Sequence, residues 1–166
     1  MEGEKNMRIQ IVLILILLGN CTSMDVTRIE TETNRISNGK KINGNLVYSG
    51  NKDYLPNFIE INKNSKDKIE YSYTILYAPS DPSDFFAIFN PLLIFGLPID
   101  THTVTIEGKL NYLSGAKTLD SFVTVSQNRN LWHSPNYTEM RKVGLLQLKK
   151  NFEIQFNNME VAAGSK

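Results

Sequence analysis

Apolar and polar positions alternate with period two along two stretches of the chain. Ile69, Tyr71, Tyr73, Ile75 and Tyr77 fall on one side, with Lys68, Glu70, Ser72 and Thr74 on the other. Successive strand side chains leave on opposite faces, so this pattern predicts a half-buried antiparallel strand. Asn57–Ile61 is the expected hairpin partner, across the polar turn Asn64-Ser65-Lys66-Asp67, and Asn45–Ser49 is a short strand before it. The second stretch has His102, Val104, Ile106, Leu110 and Tyr112 alternating with Thr103, Thr105, Glu107, Lys109 and Asn111. Its turn, Ser114-Gly115-Ala116-Lys117, leads into Leu119–Val125, where Leu119, Val123 and Val125 share a face. Gly108 interrupts this pattern and marks either a bulge or a place where another backbone passes close.

The period then changes to that of a helix. From Tyr137 to about Phe156, the residues Met140, Val143, Leu145, Leu146, Leu148, Phe152 and Phe156 recur at helical spacing. Arg141, Lys142, Lys149 and Lys150 occupy the other side. Ser134-Pro135 suits the first turn, and Asn136 with Glu139 offers a capping box instead. The predicted fold class is α+β: an antiparallel sheet of about four to six strands with one C-terminal amphipathic helix packed on it.

The longest apolar run stands outside this domain. Ile9 to Leu18, broken only by Gln10, spans about 15 Å as a helix, half of the roughly 30 Å hydrocarbon core of a bilayer. It is too short to stay inserted but matches the apolar region of a secretory signal, with Arg8 as its basic flank. The segment before Met7 is acidic for such a signal, which makes Met7 an alternative start.

Leu18-Gly19-Asn20-Cys21 closes the run and contains the chain's one cysteine. This tetrapeptide resembles the lipobox of bacterial lipoproteins, in the relaxed form seen in spirochaetes, with Asn20 where a small residue is usual. The resemblance implies cleavage before Cys21, a diacylglyceryl group on its thiol and acylation of the new amine. A plain secretory signal with an incidental thiol, and an uncleaved anchor, are the competing readings. Thr22 after the cysteine lacks the Asp that retains enteric lipoproteins at the inner membrane, so the expected address is the bacterial cell envelope, at the outer membrane. The order of strands, greasy connection, hairpin and helix also resembles small uncharacterised envelope lipoproteins, which lend no activity.

Residues 1–20 are thus expected to be a signal peptide and 21–44, polar with scattered Val and Ile, a lipidated flexible tether. A short edge strand at Val26–Ile29 is the lesser alternative there. A single domain over 45–157 and a frayed tail over 158–166 complete the division. The net charge of +1 is unchanged by removing residues 1–20 and gives no reason to expect nucleic acid as partner. With its one thiol acylated, the mature chain has no disulfide, zinc–thiolate site or cysteine nucleophile.

Candidate chemistry is sparse. Phe85 to Pro98 carries no charge and four phenylalanines, with Pro91, Gly96 and Pro98 excluding a regular spanning helix. A connection packed over the core is the leading reading. Membrane or ligand contact through Phe85, Phe86, Phe89, Leu92, Leu93 and Phe95 is the functional alternative. Asp100 and His102 share a strand face, with His133 as a conceivable third group for metal or acid–base work, although structural histidines are commoner. Asp81 and Asp84 suit turns, and Trp132 is expected to pack at the start of the helix, an aromatic sugar platform being the sharper alternative. Phosphate-binding, dinucleotide, nucleophile-elbow and zincin motifs are missing from the sequence. No enzyme activity, cofactor or metal is expected. The functional expectation is a non-enzymatic envelope lipoprotein whose partners are the membrane, through lipid on Cys21, and an envelope protein or lipid. The alternative is a carrier or chaperone for an apolar ligand using residues 85–98.

Overall fold

The computed structural model describes residues 24–26, 41–78, 99–112 and 117–164, with side chains to Glu160. Seven elements follow in order: β1 (Met24–Val26), β2 (Ile42–Val47), β3 (Ile59–Ile61), β4 (Lys68–Ala78), β5 (Asp100–Tyr112), β6 (Lys117–Arg129) and α1 (Tyr137–Gly164). A short 3-10 turn at Lys52–Tyr54 lies between β2 and β3. The strands form one sheet in the order β1-β6-β5-β4-β2-β3, and α1 lies against β5 and β6, so the fold is α+β.

The centre of the sheet is the antiparallel β4-β5-β6 meander, and its register follows the period-two pattern. Ile75 pairs with Ile106 and Ile106 with Val123, while Leu110 pairs with Leu119, placing the apolar positions of three strands on one face. Ile69, Val104, Ile106, Val123 and Val125 have no exposed surface on that face. Fully burying an aliphatic side chain of this size contributes about 1.5–3 kcal/mol. The opposite face stays wet, as one face of an antiparallel sheet commonly does. Its rows of Thr and Ser bridge strands, with Thr105 and Thr124 hydroxyls 3.4 Å apart and those of Thr103 and Ser126 at 3.3 Å.

The sheet is mixed, not wholly antiparallel, and this corrects the first expected hairpin. β3 does not pair with β4. Instead β2 lies between them, parallel to both. Parallel neighbours ordinarily need a long crossover, because the chain must return to its starting level. Here no return is needed. β3 ends level with Gly44 and β4 begins level with Asn45, so the Asn62–Asp67 connection only crosses β2 from side to side. Asn62 N donates to Gly44 O (2.9 Å) on one edge of β2, and Asn45 N to Asp67 O (2.7 Å) on the other. The crossing chain passes so close that a Cβ on Gly44 would lie 2.7 Å from Ile69 Cγ1 and 2.9 Å from Asp67 O.

Helix α1 starts after Asn136 with half of the expected capping box, the Asn136 side chain capping while its own N–H is taken by β6 rather than by Glu139. Asn136 Oδ1 accepts from Glu139 N at 3.2 Å, and Asn136 O accepts from Met140 N at 2.9 Å. The Asn136 N–H goes to Gln127 Oε1 (2.9 Å), a buried strand side chain, so β6 itself completes the cap. The helix then runs back along β6 over its 28 residues, about 42 Å at 1.5 Å per residue. Asn151 Nδ2 reaches Ser121 Oγ (3.3 Å) midway, and Glu160 meets Lys117 (3.7 Å) at the far end. It therefore continues to Gly164, past the expected stop near Phe156 and through most of the span read as a frayed tail.

Strand and helix interlock at two glycines. A Cβ at Gly108 would lie 2.7 Å from Leu148 Cδ2 and 2.9 Å from Phe152 Cε2. A Cβ at Gly144 of the helix would lie 2.7 Å from Ile106 Cδ1. Gly108 is therefore no bulge, since the register runs through it unbroken from Tyr73 to Ser121, and helix side chains occupy the space over it. Phe58 stacks on Phe156 (centroids 4.1 Å apart), and Glu153 Oε1 accepts from Asn57 N at 2.9 Å, fastening the β3 region to the helix.

Other expectations shift at the margins. β2 begins at Ile42 and β1 occupies Met24–Val26, both inside the span read as tether; the edge strand lies two residues ahead of Val26–Ile29. Met24 and Val26 pack against the core, so even this polar stretch places two apolar side chains where β6 offers an unpaired edge. Leu146 and Tyr77 were expected on buried faces and are about half exposed. β2 covers only Lys68–Glu70 of β4, which leaves Tyr77 beyond its reach.

Candidate functional site

The end of the sheet where β5 begins and β6 finishes collects three of the five buried polar residues among those described, Ser121 and Asn151 being the others. Asp100, Gln127 and Asn130 are all buried there. Asp100 and His102 share the helix-facing side of β5, as their spacing predicts, and His102 pairs across the ladder with Gln127. His102 Nε2 lies 3.1 Å from Asp100 Oδ2 but out of line for a hydrogen bond, and Nδ1 is in short contact with the Tyr137 hydroxyl. The Tyr137 ring also stands edge-on to His102 and to Tyr77, at 5.6 and 5.7 Å.

His133 does not complete a third position beside this pair. It reaches only Gln127, whose Nε2 is 3.5 Å from His133 Nε2. Tyr137 takes the place beside the ring. No local pattern signals that partnership, because Tyr137 is 35 residues from His102 and they meet only through the helix cap. Among the described residues no group of three His, Cys, Asp or Glu side chains is placed to hold a metal ion.

His102 Nδ1, through the Tyr137 hydroxyl, ties β5 to the first turn of α1, while Gln127 ties β6 to the cap and to the turn after β6. The geometry is that of a clasp.

That turn, Asn130–His133, presents the most exposed large apolar side chain in the described residues. Trp132 is 67% exposed and Leu131 52%, so Trp132 does not pack at the helix start as expected. The turn is closed by hydrogen bonds: Trp132 N donates to Asn130 Oδ1 (3.0 Å) and Asn130 N to His133 O (3.1 Å). The backbone that holds Trp132 outward is thus itself fixed.

Two further features lie elsewhere. A shallow hollow of about 480 Å³ on the wet face is lined by Ser72, Thr74, Glu107, Lys109, Asp120 and Phe122. Charged and hydroxyl-bearing side chains are mixed there with the aromatic residues Tyr73 and Phe122. Near the other end of the sheet, Tyr48 and Tyr71 lie 5.1 Å apart by ring centroids. Their hydroxyls donate to Asn51 O (2.9 Å) and Tyr54 O (3.3 Å). Burial, followed by the neighbouring tyrosines, pushes both phenols well above the ordinary tyrosine range.

A raised phenol favours the folded state fully below the unfolded value of about 10, and that contribution is lost as pH climbs through the folded value. Stability should therefore decline from about pH 10 upward, with tyrosinate absorbance appearing together with loss of circular dichroism. The Tyr48→Phe/Tyr71→Phe protein should show a shallower decline. Equal slopes in the two proteins would mean that these phenols ionise freely in the fold.

The positions singled out for lipidation and apolar contact, Cys21, Phe85, Phe86, Phe89, Leu92, Leu93 and Phe95, lie outside the described residues, as do Asp81 and Asp84. No helix among the described residues is long and apolar enough to cross a membrane. The chain matches no family model, no curated protein and no solved structure.

Proposed function

We propose that this protein is a lipid-anchored lipoprotein of the bacterial cell envelope, attached through Cys21, and that its α+β domain is a non-enzymatic structural or interaction module. Leu18-Gly19-Asn20-Cys21, placed directly after a short apolar run, is the observation that carries the reading. The contact of His102 with Tyr137 supports the structural part of this reading, because it joins β5 to the start of the helix. The outer membrane is the proposed address.

The test is Cys21→Ala. One myristoyl-length chain holds a protein only marginally, with an association constant of roughly 10⁴ M⁻¹, whereas two or three acyl chains anchor it stably. Wild-type protein should incorporate labelled palmitate and partition into detergent. The variant should incorporate none and accumulate as an unprocessed precursor or appear in the aqueous fraction. Unchanged labelling and partitioning in the variant would refute the lipid anchor.

A further inference from the structure

Met24, three positions after Cys21, is held in the sheet. β1 pairs antiparallel with the last part of β6, Met24 opposite Gln127 and Val26 opposite Val125. The chain upstream of Met24 therefore leaves the sheet at the end where β6 finishes at Arg129. Only Thr22 and Ser23 lie between Cys21 and Met24, and the three Cα–Cα steps span at most about 11 Å even when fully extended. A lipid on Cys21 is thus held within that distance of the sheet's edge. This is well under the roughly 25 Å that a coil of about 20 residues would allow.

The Asn130–His133 turn stands at the same end. Gln127, the partner of Met24, also contacts His133 and the helix cap, so β1 and the turn flank a single side chain. Leu131 and Trp132 project from that turn with half or more of their surface in water, on a backbone closed by its own hydrogen bonds. Two adjacent large apolar groups on a fixed turn give up little further conformational freedom on entering an apolar environment. An indole, apolar with one N–H, suits the headgroup level of a bilayer. Exposed Arg129 at the base of the turn, and Arg141 and Lys142 on the second turn of α1, add cationic side chains to this end.

We propose that Leu131 and Trp132 form a membrane-contact point that rests in the interface of the bilayer holding the Cys21 lipid. The domain then stands on that bilayer by the end of its sheet where β6 finishes, with two attachments, one covalent through lipid and one through the turn. The proposal rests on the lipid-anchor reading, since without acyl chains on Cys21 nothing brings this end to a membrane.

Trp132 is the only tryptophan in the chain, so the native protein carries its own probe. Full-length protein, acylated in a bacterial host, is reconstituted into phosphatidylcholine vesicles and compared with soluble Cys21→Ala protein. In vesicles the tryptophan emission should shift to the blue and be quenched severalfold by phosphatidylcholine brominated high on its acyl chains. Leu131→Asp, at an exposed position, should fold and incorporate palmitate normally yet lose most of that quenching. Palmitate incorporation with an unshifted, unquenched tryptophan would overturn the contact point and leave the anchor standing. So would full quenching in Leu131→Asp. Failure of the wild type to incorporate palmitate would remove both.

Discussion

Phe152→Ala should cost the domain about 3–5 kcal/mol, a large share of the roughly 5–15 kcal/mol that holds an ordinary domain folded. Phe152 has no exposed surface, meets Tyr71 edge-on at 5.7 Å and has Cε2 over the bare backbone of Gly108. Truncation removes contacts with two strands at once. The glycine beneath has no side chain to move into the gap, so the cavity stays open. For a chain of this size the melting temperature should fall by roughly 10 °C, with the urea midpoint dropping at an unchanged slope. A loss below about 1 kcal/mol would mean that the helix does not seat on β5 in this way.

Gly108→Val should be destabilising by about 3 kcal/mol, against the usual trend for strands. Valine is favoured over glycine on a pleated surface, so at an ordinary strand position the change would help. Here the new Cβ alone would lie 2.7 Å from Leu148 Cδ2, and the methyls of valine extend further. The sign therefore reports the helix above. Shortening Leu148 opens room on one side, so Gly108→Val should cost about 1–2 kcal/mol less in a Leu148→Ala background than alone. Strict additivity between these two changes in urea denaturation would contradict the contact.

Much of this architecture was legible in the residue pattern, and the places where it was not share a cause. The long hairpin of β5 and β6 followed from alternation because its two strands are adjacent in sequence and separated by only four residues. The cap at Asn136 followed from its spacing to Glu139, which is local chemistry. The pairing of β3 failed on the same reasoning, since period-two alternation tells which side chains share a face but not which strand lies alongside. β2 entered between β3 and β4 because their ends are offset by one level and Gly44 lets the crossing chain pass. Gly108 was noticed as an anomaly, yet its meaning depended on Leu148 and Phe152, about 40 residues away and on another element.

At the candidate site the same division holds. Asp100 and His102 were placed together by their spacing of two. Tyr137 joined them only when the helix began beside β6, and His133 was turned toward Gln127 by the intervening turn. Trp132, expected to pack inward, is exposed on a turn whose backbone is closed by its own hydrogen bonds.

By itself the sequence determined the local features: a cysteine closely following a short apolar run, the faces of the long strands, the helix and its start, and a composition near electrical neutrality. These depend on residues within one or two turns of each other, where chain connectivity supplies the geometry. The tertiary structure alone decided that β2 separates β3 from β4, that bare glycine backbone receives the helix, and that β1 pairs with the last part of β6. Each of those is a contact between segments far apart in the chain, chosen by which surfaces fit once the core has closed, and no local pattern encodes that choice.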